Sequence, residues 1–234
     1  MRIVISIGGS LLTKDTELTS PDSYVKNFTS YVDVVKKLKR DGHELVVVCG
    51  GGTPARLFQA IGRKFTNDLE TLDRMGIIAT DLNAYLFVAV LGNLAYKIVL
   101  KDPDDVERVF KKTGGKKIII CSGWEPGCST DLDAALHAGK MSADLLINAT
   151  NIDGVYTADP KKDTKAKKLD KIDYKKFREI ISAVPQTPGE YRLFDLKAID
   201  ILEKKKIKLI IIDGKDSKEI LRAAQGNHSG TVVE

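Results

Sequence analysis

The 234-residue chain is 43% hydrophobic and 29% charged, with a formal net charge of +5, a balance that supports a sizeable core and excludes a disordered chain. Segment 161–176 holds eight Lys against three Asp. It carries the whole excess, reads as a solvated loop and helix face, and leaves no general basic surface for nucleic acid. No unbroken apolar run reaches the roughly 18 residues of a membrane span, and the first run is too short for a signal peptide. The three Cys lack CxxC spacing, which argues against a disulfide framework or zinc site and for a reducing cytoplasm. His43, His137 and His228 are far apart, none beside a metal-type motif.

Short apolar runs alternate with longer helical patterns. Strands are expected over 3–7, 45–49, 97–100, 118–121, 145–149, 209–212 and, as a last short one, 231–233. Several lack polar alternation, which is how strands buried on both faces read. Ser20-Pro21 caps a helix over 24–38. Further helices are expected over 54–65, 69–94, 131–139, 174–181, 195–204 and 217–225. The alternation implies an α/β fold, a three-layer α/β/α sandwich around a mainly parallel sheet. Region 154–173 is a hairpin or long loop dividing two halves of a single domain over 1–234.

Chemistry gathers at the strand ends, where open α/β sheets bind ligands. "GGSLLTK" from Gly8 and "CGGGTPAR" to Arg56 each leave an apolar run through glycines into a helix. Glycine removes the Cβ that blocks close approach, and consecutive backbone N–H groups at a helix start attract phosphate. Arg56 lies where a guanidinium reaches back over the second loop. Neither loop is a Walker A motif or GxGxxG, and one glycine turn alone reads as a structural turn. Two of them, beside Ser10 and Arg56, favour a phosphate site. A third strand end, "CSGWEPGCSTD", clusters donors before a helix that Ser129 or Thr130 caps, and that capping is its plain structural role. Asp131 there is informative, because a carboxylate among anion loops must orient a donor or cation. A fourth, "NATNIDGVYTADPKKD", is either a clamp for base and ribose or an ordinary hairpin.

These stretches, with "MRIVISIGGSLL" and the tail "GNHSGTVVE", resemble the amino acid kinase family in order and across almost the whole chain, and within it the archaeal-type uridylate kinases. The resemblance implies transfer of the γ-phosphoryl of ATP to UMP, giving UDP in pyrimidine biosynthesis, with Mg²⁺ accompanying ATP. It places Gly9, Ser10, Gly52, Arg56, Thr150, Asn151, Tyr156 and Asp159 on the ATP side. It places Gly51, Asp73, Trp124, Glu125, Pro126, Gly127, Cys128, Ser129 and Thr130 on the UMP side. Ser10, Arg56 and Asp131 form the catalytic set, with Asp131 an organiser rather than a base and no residue assigned as a metal ligand. Residues 1–150 would then supply the acceptor side and phosphate loops, and 151–234 the ATP side. The resemblance also implies a homohexamer, a trimer of dimers; the cytoplasmic location and the expectation of no nucleic acid or membrane partner rest on the cysteines, charge and apolar runs above. Without it, Asp73 reads as an exposed helix charge paired with Arg74.

Three departures stand out. Many members of the family carry Lys where this chain has Ser6, and Lys14, Lys161 or Lys162 are candidates to replace its charge. Trp124 and Cys128 are unusual for the acceptor loop, as is the stretch 182–200. Two alternatives therefore stay open: another small-molecule kinase of this fold, with isopentenyl phosphate, carbamate or N-acetylglutamate as acceptor, and a nucleotide-binding protein without catalysis.

Overall fold

The computed structural model describes residues 1–13, 21–160, 163–183 and 194–234. Lys14, Ser20, Lys161, Lys162 and most of the unusual stretch after Ser182 lie outside them. In chain order the elements are β1 (Arg2–Ile7), α1 (Gly9–Leu12), α2 (Pro21–Arg40), β2 (Glu44–Cys49), α3 (Gly52–Gly62), α4 (Leu69–Leu91), α5 (Pro103–Thr113), β3 (Ile119–Cys121), α6 (Thr130–Lys140), β4 (Leu145–Thr150), β5 (Val155–Tyr156), β6 (Lys168–Leu169), β7 (Lys171–Ile172), α7 (Tyr174–Ala183), α8 (Leu196–Lys205), β8 (Lys208–Asp213), α9 (Lys218–Gln225) and β9 (Thr231–Val233).

Seven strands form one sheet in the order β3-β2-β1-β4-β8-β9-β7, and β5 pairs with β6 separately. Within the large sheet only β8 and β9 run antiparallel. The strands' alternate residues explain the two outer layers. Val4, Val46, Val48, Ile119 and Leu146 face a core closed by α5, α6, α7 and α8. Ile3, Ile5, Ile7, Val47 and Ile147 face a second core closed by α2, α4 and α9. Burying both faces is why these strands read as unbroken apolar runs. The expected α/β/α sandwich is the observed one.

Two expectations need correction. Residues 97–100 form no strand; Leu100 makes a single bridge to Cys121 of β3, and Ala95, before the segment, makes another to Ile118. Helix α5 was not foreseen, since only Val106, Val109 and Phe110 of its residues enter the core. Its end signals are nevertheless complete: the Asp102 side chain accepts from Asp104 N–H, Pro103 opens the first turn, and Gly114 closes the helix at φ 57°.

Segment Leu69–Leu94 is long and apolar enough, by length and composition, to cross a membrane, contrary to the reading based on unbroken runs. In the fold it lies against α3, α2 and the sheet. Leu72, Ala84, Phe87 and Leu91 point inward, while Ile78, Leu82, Tyr85, Leu86 and Val90 remain exposed.

Inside α6, His137 is fully buried and neither ring nitrogen has a hydrogen-bond partner. Burial pushes its imidazole down to about 4, only partly countered by Asp102. The folded chain therefore keeps it neutral, while an unfolded chain protonates near 6.5. Stability from this site is intact above pH 6.5 and is lost as the pH falls towards 4, by about 3 kcal/mol in all. His137→Leu should flatten that part of the stability–pH curve, as measured by urea unfolding at several pH values. A variant that loses stability on acidification as steeply as the parent would contradict this.

Candidate active site

The ends of β1 and β2 are neighbours because the strands pair in register from Arg2–Glu44 to Ile7–Cys49. Gly50 N–H donates to Ile7 O at 3.0 Å, and Gly8 N–H to Ala149 O at 3.0 Å, which ties in the end of β4. The two glycine turns then meet backbone to backbone. A Cβ on Gly9 would lie 2.0 Å from Gly52 N, and one on Gly50 would lie 2.4 Å from Gly9 N. Gly52 also has φ +64°, which L side chains rarely adopt. Any side chain at these positions forces the turns apart.

Two threonines passed over in the sequence fasten the contact. Thr13 Oγ1 donates to Gly9 O at 2.9 Å and accepts from Thr53 N–H at 2.8 Å. Thr53 Oγ1 donates to Thr13 O at 3.1 Å and accepts from Arg56 Nη2 at 3.2 Å. The exposed Arg56 thus lies back over the start of α3, as expected. Asn83 of α4 donates to Gly50 O at 2.7 Å and so holds the second turn from the other side. Ser10 belongs to the single helical turn α1 rather than to an open loop, and it is half-buried.

A cleft of about 330 Å³ opens beside these turns, within the usual range for small ligands. It is lined by Gly51 and α3, by the Asp73–Thr80 side of α4, by the loop after β3 and by the start of α6. Gly62 and Gly76 permit this closeness: a Cβ on Gly62 would lie 2.8 Å from Leu72 Cδ2, and one on Gly76 would lie 2.8 Å from Gln59 Nε2. Asp73 Oδ2 accepts from Gly127 N–H at 2.9 Å. It is not paired with Arg74, whose guanidinium goes to Glu70 at 2.7 Å. The loop is further fixed by Gly123 N–H on Thr80 Oγ1 at 2.8 Å and by Ser122 Oγ on Asp81 at 2.5 Å. Ser129 caps α6 through Leu132 N–H and donates to Asp195 at 2.8 Å.

The predicted acceptor residues divide. Gly51, Asp73, Glu125, Gly127, Cys128, Ser129 and Thr130 line this inner cleft. Trp124 and Pro126 line an adjoining outer one with Leu69 and Arg74. Asp133, Thr80 and Gln59 were not anticipated, and they line the inner cleft too. Burial pushes the Asp133 carboxyl up to about 7; Trp124 N–H opposes this, and Asp131 and Asp195 add to it.

Asp131 points elsewhere. Its Oδ1 accepts from Asn148 Nδ2 at 3.1 Å, and Asn148 stands opposite Ser6 across the β1–β4 pair. Of the predicted ATP residues, Thr150 ends β4 beside Gly8, where a glycine Cβ would lie 3.9 Å from Thr150 Cα. Asn151 follows it and is exposed. Tyr156 belongs to the small β5–β6 pair, its hydroxyl bonded to both Asp153 oxygens at 3.1 Å. Asp159 follows that strand and accepts Asp163 N–H on its backbone oxygen at 2.8 Å. The β5–β6 pair is anchored to β9 by Thr231, which accepts from Val155 N–H at 2.8 Å and donates to Leu169 O at 2.6 Å.

Known proteins match along the whole chain. The model described as "Amino acid kinase family" matches residues 1–213. A protein named uridylate kinase from Methanococcus maripaludis (strain C7) is 37% identical over 233 residues, with 100% of this chain and 99% of that protein covered. One from Sulfurisphaera tokodaii is 35% identical over 235 residues, with the same coverage. The crystal structure of uridylate kinase from Archaeoglobus fulgidus superimposes with a TM-score of 0.85 at 34% identity, covering 100% of both chains. That of UMP kinase from Ureaplasma parvum, at 21% identity and a TM-score of 0.80, shares the fold.

The contact between the glycine turns makes a direct prediction. Gly9→Ala should lower the unfolding free energy by about 1–3 kcal/mol, the usual cost of forcing atoms into a packed site, as read by urea denaturation. An alanine variant as stable as the parent would show that the turns yield freely.

Proposed function

The chain belongs to the amino acid kinase family, and from that premise we propose that it transfers the γ-phosphoryl of ATP to UMP, releasing UDP and ADP. The observation that carries the reading is the pair of interlocked glycine turns opening onto a separate cleft lined by Asp73. One surface is suited to phosphate oxygens and the other to a nucleoside.

Two polyanions must meet head-on. Backbone N–H groups of both turns and the Arg56 guanidinium offset their repulsion and follow the charge that spreads over the moving phosphoryl. The acceptor phosphate is already ionised near neutrality, so the chain supplies position rather than a strong base. Asp73 accepts hydroxyl hydrogen bonds from the ribose. Asp131 acts indirectly, by fixing Asn148 beneath the turns. On the donor side, Thr150, Asn151, Tyr156 and Asp159 are assigned to ATP, which gives the two halves of the chain their division of labour.

Among the described residues no group of three or more His, Cys, Asp or Glu is arranged to hold a metal ion. Mg²⁺ is taken to arrive with ATP, as is usual for this ion, and no residue of the chain is assigned to hold it. It would neutralise charge on the transferring group. Arg56 is the cation assigned at the turns, and Lys14, Lys161 and Lys162, outside the described residues, stay candidates to replace the lysine missing at Ser6.

The exposed apolar side chains of α3 and α4 (Phe58, Ile61, Ile78, Leu82, Leu86 and Val90) are where subunits of the inferred hexamer would pair. A cytoplasmic site accords with the free thiols of Cys49, Cys121 and Cys128.

A coupled assay with ATP, Mg²⁺ and a panel of UMP, CMP, AMP, N-acetylglutamate, carbamate and isopentenyl phosphate tests the acceptor. UMP should turn over fastest. Nucleotide binding without any product would favour a non-catalytic role. Arg56→Ala should lower kcat by about 10²–10³-fold, the scale of losing one charge-stabilising donor, with the unfolding midpoint kept; unchanged kinetics would remove Arg56 from the site. Asp73→Asn should raise KM for UMP by about tenfold, roughly one charged hydrogen bond, and leave KM for ATP in place. The reverse ranking would exchange the two subsites.

A further inference from the structure

Asp133 is 2% exposed yet lines the acceptor cleft, and its Oδ1 has no hydrogen-bond partner. A buried carboxyl oxygen left unbonded is costly. Opposite stands Gly123, where a Cβ would lie 3.3 Å from Thr80 Oγ1 and 3.8 Å from Asp133 Oδ2. Glycine therefore leaves the space before the carboxyl clear. Thr80 is already engaged: it accepts from Gly123 N–H at 2.8 Å and donates to Ile77 O at 2.6 Å. At this end of the cleft Asp133 is the group with bonding capacity to spare.

We propose that Asp133 recognises the acceptor's base, donating a hydrogen bond from a neutral carboxyl to a carbonyl oxygen of the heterocycle. The assignment rests on the reading that this cleft takes UMP. Its surroundings favour the neutral form. Asp131 lies two residues before it on α6, Asp195 at the start of α8, and the Cys121 and Cys128 thiols on and after β3. Asp73 of α4 and Glu125 of the loop line the same cleft, and Asp81 of α4 is held by Lys101 at 2.6 Å. His137, one turn further along α6, stays uncharged near neutral pH. No Lys or Arg is among the described residues lining the cleft. Uracil presents two carbonyl oxygens and one N3–H: an ionised carboxylate can only accept, from N3–H, whereas the protonated acid can donate to a carbonyl oxygen, and the pH dependence of binding tells the two apart. With burial holding the carboxyl near 7, the donor is present below neutrality and is lost above it.

Calorimetric titration of UMP into the full chain between pH 6 and 9, with ATP as control ligand, tests this. Three proteins are compared: the parent, Asp133→Asn, which keeps a donor that does not titrate, and Asp133→Leu, which has none. In the parent, Kd for UMP should rise by up to about tenfold per pH unit above neutrality, the limit for one linked proton. The Asn variant should hold the parent's low-pH affinity to within a few-fold across the range. The Leu variant should bind about tenfold or more weakly at every pH, and ATP affinity should be the same in all three. UMP's own phosphate ionisation is common to all, so the comparison isolates residue 133. An Asn variant with the parent's pH slope, or a Leu variant with the parent's affinity, would overturn the assignment alone. A parent that binds ATP but no UMP at any pH would overturn the acceptor reading as well.

Discussion

The site depends on one close approach: two backbone turns meeting where no side chain fits. Gly9 and Gly52 come together because β1 and β2 are paired to their last residues, and each turn occupies the room a Cβ on the other would need. The consequence is chemical. The Gly51 and Gly52 amides stand at the start of α3, where the partial charge of the helix end favours anions. Thr13 and Thr53 fix the turns' relative position with reciprocal hydrogen bonds, and Arg56 is drawn towards the same surface by Thr53. Preorganisation of this kind matters more for phosphoryl transfer than for chemistry with a covalent intermediate, because charge placement does most of the work.

The cleft proposed for the acceptor is built differently. Here one helix, α4, carries much of the wall, and the loop after β3 is tied to it by Asp73, Thr80 and Asp81. Loop and helix thus act as a unit. The same helix carries exposed apolar side chains, Ile78, Leu82, Leu86 and Val90, so the proposed subunit pairing and the proposed acceptor site would both draw on α4. Its inward residues pack on the sheet and on α2 and α3.

The sheet was readable because strands buried on both faces leave mostly apolar runs without regular polar alternation, as in 45–49 and, with single polar breaks at Ser6 and Asn148, in 3–7 and 145–149. Where burial is partial the reading failed. Residues 97–100 are apolar enough to resemble a strand but make only an isolated bridge at Leu100, and α5 hides three core residues among charges. The glycine turns were visible as a pattern. Their mutual contact was not, because sequence spacing says nothing about two turns forty residues apart occupying one another's space. Asp73 was recognised through family likeness; its partner Gly127 emerges only in three dimensions. Asp133 was missed because a lone Asp on a helix normally reads as a solvated charge, and only the fold reveals its burial. Asp131 drew attention instead, and the structure turns it towards Asn148.

The most direct measurement is a crystal structure of the chain with UMP, Mg²⁺ and a non-hydrolysable ATP analogue. Both phosphate groups should lie at the two glycine turns, on the amides of Gly9, Gly51 and Gly52, since those of Gly8 and Gly50 already donate to Ala149 O and Ile7 O, with the attacking oxygen about 3–3.5 Å from the γ-phosphorus and the uracil inside the cleft between α4 and α6. Phosphates bound away from those turns, or a base seated outside that cleft, would contradict this.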